Sequence, residues 1–232
     1  MGENWGSRKV KGEIKMYSSE HYLKYPNLRP WVGEKYGNKV SKRLLIIGES
    51  HYLPVDSVAA QNPEEWYSKN QDCLSEIEKK WIHTSGIINK NIQHNFPRKG
   101  HSIYRNMARE INKINFNYKN SAEIFNHLAY MNYFQRPAEV KGGSINVREI
   151  DKVISESVVS DAIKVLNPEL IIICSNKAGK LASILAKKNS IPFVVSPHPA
   201  CRWWNDVSKR YGGAGKEVVK NFLTNNQWIK ST

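Results

Sequence analysis

"RLLIIGESHY", residues 43–52, decides how the rest of the chain is read. The run from Leu44 to Ile47 is apolar without a break, and Gly48 ends it. A strand wet on one face alternates polar and apolar residues. A run with no polar position reads as a strand buried on both faces, the kind found in parallel sheets. Behind the glycine stand Glu49, Ser50, His51 and Tyr52, and all four side chains can do chemistry. In open parallel sheets ligands bind outside the carboxyl ends of the strands, which is where these four would lie.

Working outward, residues 127–134, 168–175 and 191–199 read as further strands. Between them the pattern is helical. Residues 62–82 open with Asn62, Pro63 and two glutamates, a helix start in which the acids sit near the positive end of the dipole. Residues 101–114 place Ile103, Met107 and Ile111 on one face. Asn146 with Glu149 makes a capping box for a helix over 147–166. Residues 177–188 and the final stretch from 213 are also helical, whereas 83–100, rich in Asn, Gly and His, read as a mobile loop. Strands alternating with helices imply an α/β fold. The expectation is a three-layer sandwich around a central, mostly parallel four-stranded sheet. Residues 41–232 would form a single α/β domain, and 1–40 a basic, aromatic N-terminal arm packing on it.

The chain of 232 residues is long enough for one large core, and its hydrophobic content of 40% is adequate to fill it. With 35 basic and 21 acidic side chains, the formal net charge is +14. Charge of that sign points to a polyanionic partner, most often nucleic acid. Cys73, Cys174 and Cys201 are far apart, with no CxxC pair to suggest a zinc ribbon or an iron–sulfur cluster. The odd count fits a reducing compartment. No N-terminal signal pattern is present and no apolar run approaches the roughly 18 residues of a membrane span. These features suggest a cytoplasmic protein without a membrane partner.

Three polar clusters follow strands. Glu49 is placed either to act as a general base for water or to cap the next structural element. His198 lies between Pro197 and Pro199, which would fix the backbone and aim the imidazole. Asn132 has mostly apolar neighbours, and its amide offers the donor and acceptor needed to read a base edge. Arg98, Lys99, Arg136 and Arg202 are loop cations that, with Trp203 and Trp204, would make a rim to grip phosphates and wedge bases. Phe96 would stack on an aromatic ligand or fill the core.

The order "GESHY" (48–52), "NYFQRP" (132–137), "PELIIICSNKAG" (168–179) and "SPHPACRW" (196–203) resembles the uracil-DNA glycosylase superfamily over residues 43–204. One branch of that family reads G-Q-D-P-Y-H at the first motif. Gly48 and Tyr52 match in place, and the resemblance implies that Tyr52 gates the base. Ser50 stands where the catalytic Asp would be and His51 where the Pro would be. The iron–sulfur branch reads G-E-A-P-G, so Glu49 matches its Glu, and Asn132 with Arg136 and Pro137 matches its second motif. Phe96 is a loose match to its stacking Phe. The cluster-binding cysteines are absent, which implies a cluster-free relative that needs no metal or redox cofactor.

The resemblance implies a monofunctional DNA glycosylase. Acting on single-stranded or duplex DNA, it would flip a uracil-like or modified pyrimidine out of the stack and leave an abasic site. Glu49, or alternatively His51, would activate water, and His198 would meet the charge developing on the base. Asn132, Tyr52, Phe96 and His51 would contact the base, and Arg98, Lys99, Arg136, Arg202 and Trp203 the DNA. The altered first motif leans toward an unusual base, such as a modified cytosine of phage DNA, and so toward antiviral defence rather than repair. A monomer is expected. Two other classes fit less of the sequence. A GDS-type serine ester hydrolase would use Ser50 and His198, but Val195 stands where its Asp is usual. A non-catalytic DNA-binding protein on the same scaffold is the other.

Overall fold

A computed structural model describes residues 20–114 and 116–230. The sheet has five strands in the order β1-β3-β2-β4-β5. These are β1 (Trp31–Val32), β2 (Leu44–Gly48), β3 (Leu128–Asn132), β4 (Leu170–Ile173) and β5 (Phe193–Val195). β2 pairs in parallel with β3 and β4, and β4 with β5, while β1 runs antiparallel to β3 at the edge. The expected four parallel strands are therefore present, and the sheet has one more. The extra strand comes from the segment read as an arm. Within that segment Tyr22, Tyr25 and Leu28 are buried and Trp31 Nε1 donates to the Phe125 carbonyl at 2.9 Å, so residues 20–40 are built into the domain. The earlier part of the arm lies outside the described residues.

Every residue of β2, β3 and β4 is buried, as the unbroken apolar runs require. Alternation still operates, because successive side chains point to opposite faces. Leu44, Ile46, Leu128, Tyr130, Leu170 and Ile172 join a core on one face. That face is covered by α4 (Thr84–Ile92), α5 (Ser102–Asn112) and α8 (Gly215–Asn225), whose buried apolar side chains belong to the same core. Leu45, Ile47, Ala129, Met131, Ile171 and Ile173 join a core on the other, beneath α6 (Glu149–Leu166) and α7 (Asn176–Lys188). Helices on both faces of the sheet make three layers. A smaller core holds Tyr22, Tyr25 and Leu28 of the N-terminal segment, which includes α1 (Glu20–Lys24), against α2 (Pro63–Ser68) and α3 (Glu76–Ile82).

Three expectations about local structure need correction. The helix read over 62–82 is broken into α2, a short turn over Gln71–Cys73, and α3. Asn62 caps α2 as expected, but Asn70 then accepts from Asp72 N–H, and Ser75 with Glu78 forms a full capping box that starts α3. Capping side chains compete with helix continuation and restart the chain in a new direction. The segment 83–100 is not a loop, since it contains α4, whose Ile88 and Ile92 are buried in the core. α6 begins at Glu149, and Asp151 rather than Glu149 accepts the backbone N–H at its start, from Arg148 at 2.8 Å.

Arg136 is fully buried, with 0% exposure, so its expected role as a DNA-gripping cation does not hold. Its Nε and Nη2 donate to Asp151 at 2.9 and 2.8 Å. Its Nη1 donates to the Ala60 carbonyl at 2.7 Å and to Glu139 at 2.8 Å, and its Nη2 also reaches the Asn146 carbonyl at 3.0 Å. All five N–H donors of a guanidinium are thereby used. Asp151 is also fully buried and further accepts from Tyr67 Oη at 2.9 Å. Removing one partner of such a pair strands the other charge in the interior. Arg136→Ala should therefore lose about 3–5 kcal/mol of stability in urea unfolding, and a loss below about 1 kcal/mol, as for an exposed pair, would contradict this account.

Candidate active site at the carboxyl edge of the sheet

Four strand ends are laced together by backbone hydrogen bonds just beyond the ladder. Tyr133 N–H donates to Gly48 O at 3.1 Å and Phe134 N–H to Glu49 O at 2.9 Å. Cys174 N–H donates to Ile47 O at 2.8 Å and Ser196 N–H to Ile173 O at 2.9 Å. Glu49 follows the central strand β2. Asn132 closes β3 on one side of it, while Ser175 follows β4 and His198 follows β5 on the other.

Glu49 is half-buried. One carboxylate oxygen accepts from Ser144 Oγ, and the other accepts from Ser175 Oγ at 2.5 Å. The Glu49 charge also acts on both Tyr52 and His198. His198 Nδ1 accepts the Ala200 backbone N–H at 3.1 Å. A neutral ring bonded in this way keeps its proton on Nε2, so the imidazole presents a donor there. Burial pushes the His198 pKa below its ordinary value, partly offset by the Glu49 charge, which favours that neutral form. Asn106 Nδ2 donates to the Pro199 carbonyl at 2.8 Å and ties α5 to this loop.

Asn132 is buried, and its Oδ1 accepts from Tyr130 Oη at 3.1 Å. Gly48 is the register partner of Asn132 across the parallel pair. A Cβ at Gly48 would lie 2.3 Å from both Asn132 Oδ1 and Tyr130 Oη. The glycine is therefore the space in which this side-chain bond forms, which is a tighter constraint than ending a strand.

Other sequence-derived candidates fall elsewhere. His51 is buried behind the motif, where its Nε2 is hydrogen-bonded to Thr84 Oγ1 at 3.1 Å, so neither base contact nor water activation is open to it. Phe96 has 0% exposure and stacks on Tyr104 at 5.2 Å between ring centres, making it part of the core rather than a base platform. Trp204 is buried too, leaving Trp203, at 44% exposure, as the free indole of that pair. Arg202 is exposed, pairs with Asp206 at 2.7 Å and lies over the Trp203 ring at 5.3 Å. Arg98 and Lys99 are exposed immediately before α5, the helix bonded to the His198 loop. Tyr52 is half-buried against the core under α6 and α7. Ser50 makes no hydrogen bond to His198 among the described residues.

Sequence reasoning missed Ser144, Ser175 and Tyr130. Ser175 carries a signal, because it stands between an apolar strand and a helix and its Oγ caps α7 by accepting from Ala178 N–H at 3.2 Å. Ser144 has only a Gly-Gly before it, which marks a turn and nothing more. Among the described residues no cluster of three or more His, Cys, Asp or Glu side chains could hold a metal ion. A cavity of about 310 Å³ is lined in part by Leu53, Ala60, Gln61 and Glu139. Glu139 is already committed there to Arg136 and to Asn146 N–H. No helix among the described residues is long and apolar enough to cross a membrane. No known protein-family model matches the chain, and a search of curated proteins finds no match either.

Two outcomes follow for this edge of the sheet. Gly48→Ala should cost at least about 1–3 kcal/mol through overpacking and break the Tyr130–Asn132 bond, as thermal unfolding and a crystal structure of the variant would reveal. Burial, aided by nearby His83, lowers the His51 pKa from 6.5 to about 4. The unfolded chain then binds a proton at His51 that the folded chain refuses. Its contribution is complete above pH 6.5 and is lost as pH falls toward 4. Stability should drop by up to about 1.4 kcal/mol per pH unit from this group, and His51→Gln should flatten that part of a urea-midpoint profile.

Proposed function

We propose that the chain is a monofunctional DNA glycosylase with a uracil-DNA glycosylase-like three-layer fold. In this reading it works as a cytoplasmic monomer that hydrolyses the N-glycosidic bond of a flipped-out uracil-like or modified pyrimidine. The observation that carries the reading is the placement of Glu49, Asn132 and a His198 whose Nδ1 accepts a backbone N–H at one edge of a parallel sheet. A carboxylate, a base-reading amide and a neutral donor are the three functions this reaction needs.

In the step itself, the C1′–N bond breaks and its electron pair leaves with the base. The sugar gains oxocarbenium character, which the Glu49 carboxylate stabilises. His198 Nε2–H donates a hydrogen bond to the base oxygen where negative charge collects. A water held by Glu49 bonds to C1′ and gives its proton to that carboxylate, leaving an abasic sugar and, after proton uptake from solvent, a neutral base. Asn132 reads the base edge and Tyr52 shapes the pocket. The exposed Arg98, Lys99 and Arg202 grip phosphates, and Trp203 serves as the wedge that supports flipping. A modified cytosine of phage DNA as substrate would make the enzyme a defence factor; uracil would make it a repair enzyme.

The test is a panel of single-stranded and duplex oligonucleotides carrying uracil, hypoxanthine, 5-hydroxymethylcytosine, its glucosylated form or no modification. Alkali cleavage scores the abasic sites. One member should be cut, and His198→Ala should lose roughly a hundredfold to a thousandfold in rate, with Glu49→Gln also strongly impaired. DNA binding without abasic sites on any member would replace this reading with that of a binding protein.

A further inference from the structure

A glutamate side chain has three rotatable bonds, and fixing it costs rotamer entropy. A carboxylate that must orient one water therefore needs to be held. Glu49 has a separate serine donor on each oxygen, Ser144 on one and Ser175 on the other. A carboxylate only accepts, so the direction of both bonds is settled by chemistry.

The two serines are supported differently. Ser175 is buried, and its Oγ already accepts from Ala178 N–H in capping α7. Its own proton is thereby left for Glu49. Ser144 is exposed, on the loop 138–146. That loop is pinned directly after Ser144. The Ile145 side chain is buried in the core and its carbonyl accepts from Lys177 Nζ at 2.5 Å. Asn146 N–H donates to Glu139 at 2.9 Å, and Asn146 O accepts from Arg136 at 3.0 Å. Before Ser144 the chain turns at Gly142, whose φ of 77° is in the left-handed region.

The geometry points to Ser144 as a positioning residue for Glu49, an inference that rests on the reading of Glu49 as the water-orienting carboxylate. Ser175 supplies the fixed half of the clamp. Ser144 supplies the other half, from a loop that exists in this shape because Arg136 and Ile145 hold it. Among the described residues the side-chain hydrogen bond of Ser144 goes to Glu49, so it acts through that residue and not on the substrate.

The experiment compares wild type, Ser144→Ala and Ser144→Thr on oligonucleotides carrying one uracil, 5-hydroxymethylcytosine or glucosylated 5-hydroxymethylcytosine. Single-turnover rate, DNA Kd and Tm are measured for each. On the probe that wild type cuts, Ser144→Ala should lower the rate roughly tenfold to a hundredfold. Its Kd and Tm should be unchanged, and Ser144→Thr, which keeps the hydroxyl, should recover most of the rate. An unaltered rate in Ser144→Ala overturns the inference and leaves the glycosylase reading standing. Equal losses in the Ala and Thr variants, with a lowered Tm, assign Ser144 a structural role and also overturn it. A wild type inert on every probe overturns the reading of Glu49 and the inference together.

Discussion

The guanidinium of Arg136 sits out of water with five hydrogen bonds to three separate parts of the chain. It joins the segment after β2 at Ala60, the 138–146 loop at Glu139 and Asn146, and the start of α6 at Asp151. A buried ion pair adds little net stability, because desolvation offsets most of the Coulomb attraction. What it supplies is geometry. Two irregular segments and the first turn of α6 share one rigid, planar partner, and none can shift without leaving a buried donor or charge unmet. The loop that presents Ser144 to Glu49 is one of the three.

The same knot changes how the charge is read. Of the cations expected at the DNA surface, Arg136 is spent internally, so Arg98, Lys99 and Arg202 remain from that set, all exposed. The edge of the sheet itself is not simply basic. It holds a carboxylate bonded by two hydroxyls and a histidine kept toward its neutral form by burial. In the proposed reaction the exposed cations would meet the polyanion and the carboxylate the developing cation.

Gly48 shows how a single residue serves two levels of structure. In sequence it ends an apolar run. In the fold it stands opposite Asn132, where any side chain would collide with the Tyr130–Asn132 bond. Tyr104 stacks at an angle on Tyr130, 5.1 Å between ring centres, and so extends the support of Asn132 into the core under α5. The orientation of the base-reading candidate is thus set by the core on its own face of the sheet.

The sequence by itself determined four parallel strands, most of the helices flanking them and the placement of Glu49, Asn132 and His198 at strand ends, while α4 and the break between α2 and α3 escaped it. The elements it determined follow from local patterns, since continuous apolar runs, capping residues and prolines act over a few neighbours. The tertiary structure alone decided which polar side chains face the site. His51, Phe96 and Arg136 look available in sequence, yet each is buried against partners more than eight residues away or in another element: Thr84, Phe125 and Asp151 respectively. The edge strand Trp31–Val32 was illegible because two residues carry no periodicity, and Ser144 because an exposed serine after two glycines is common in any turn. Burial and hydrogen bonding between distant segments are set when the layers close, and no stretch of this chain contains both partners of those contacts.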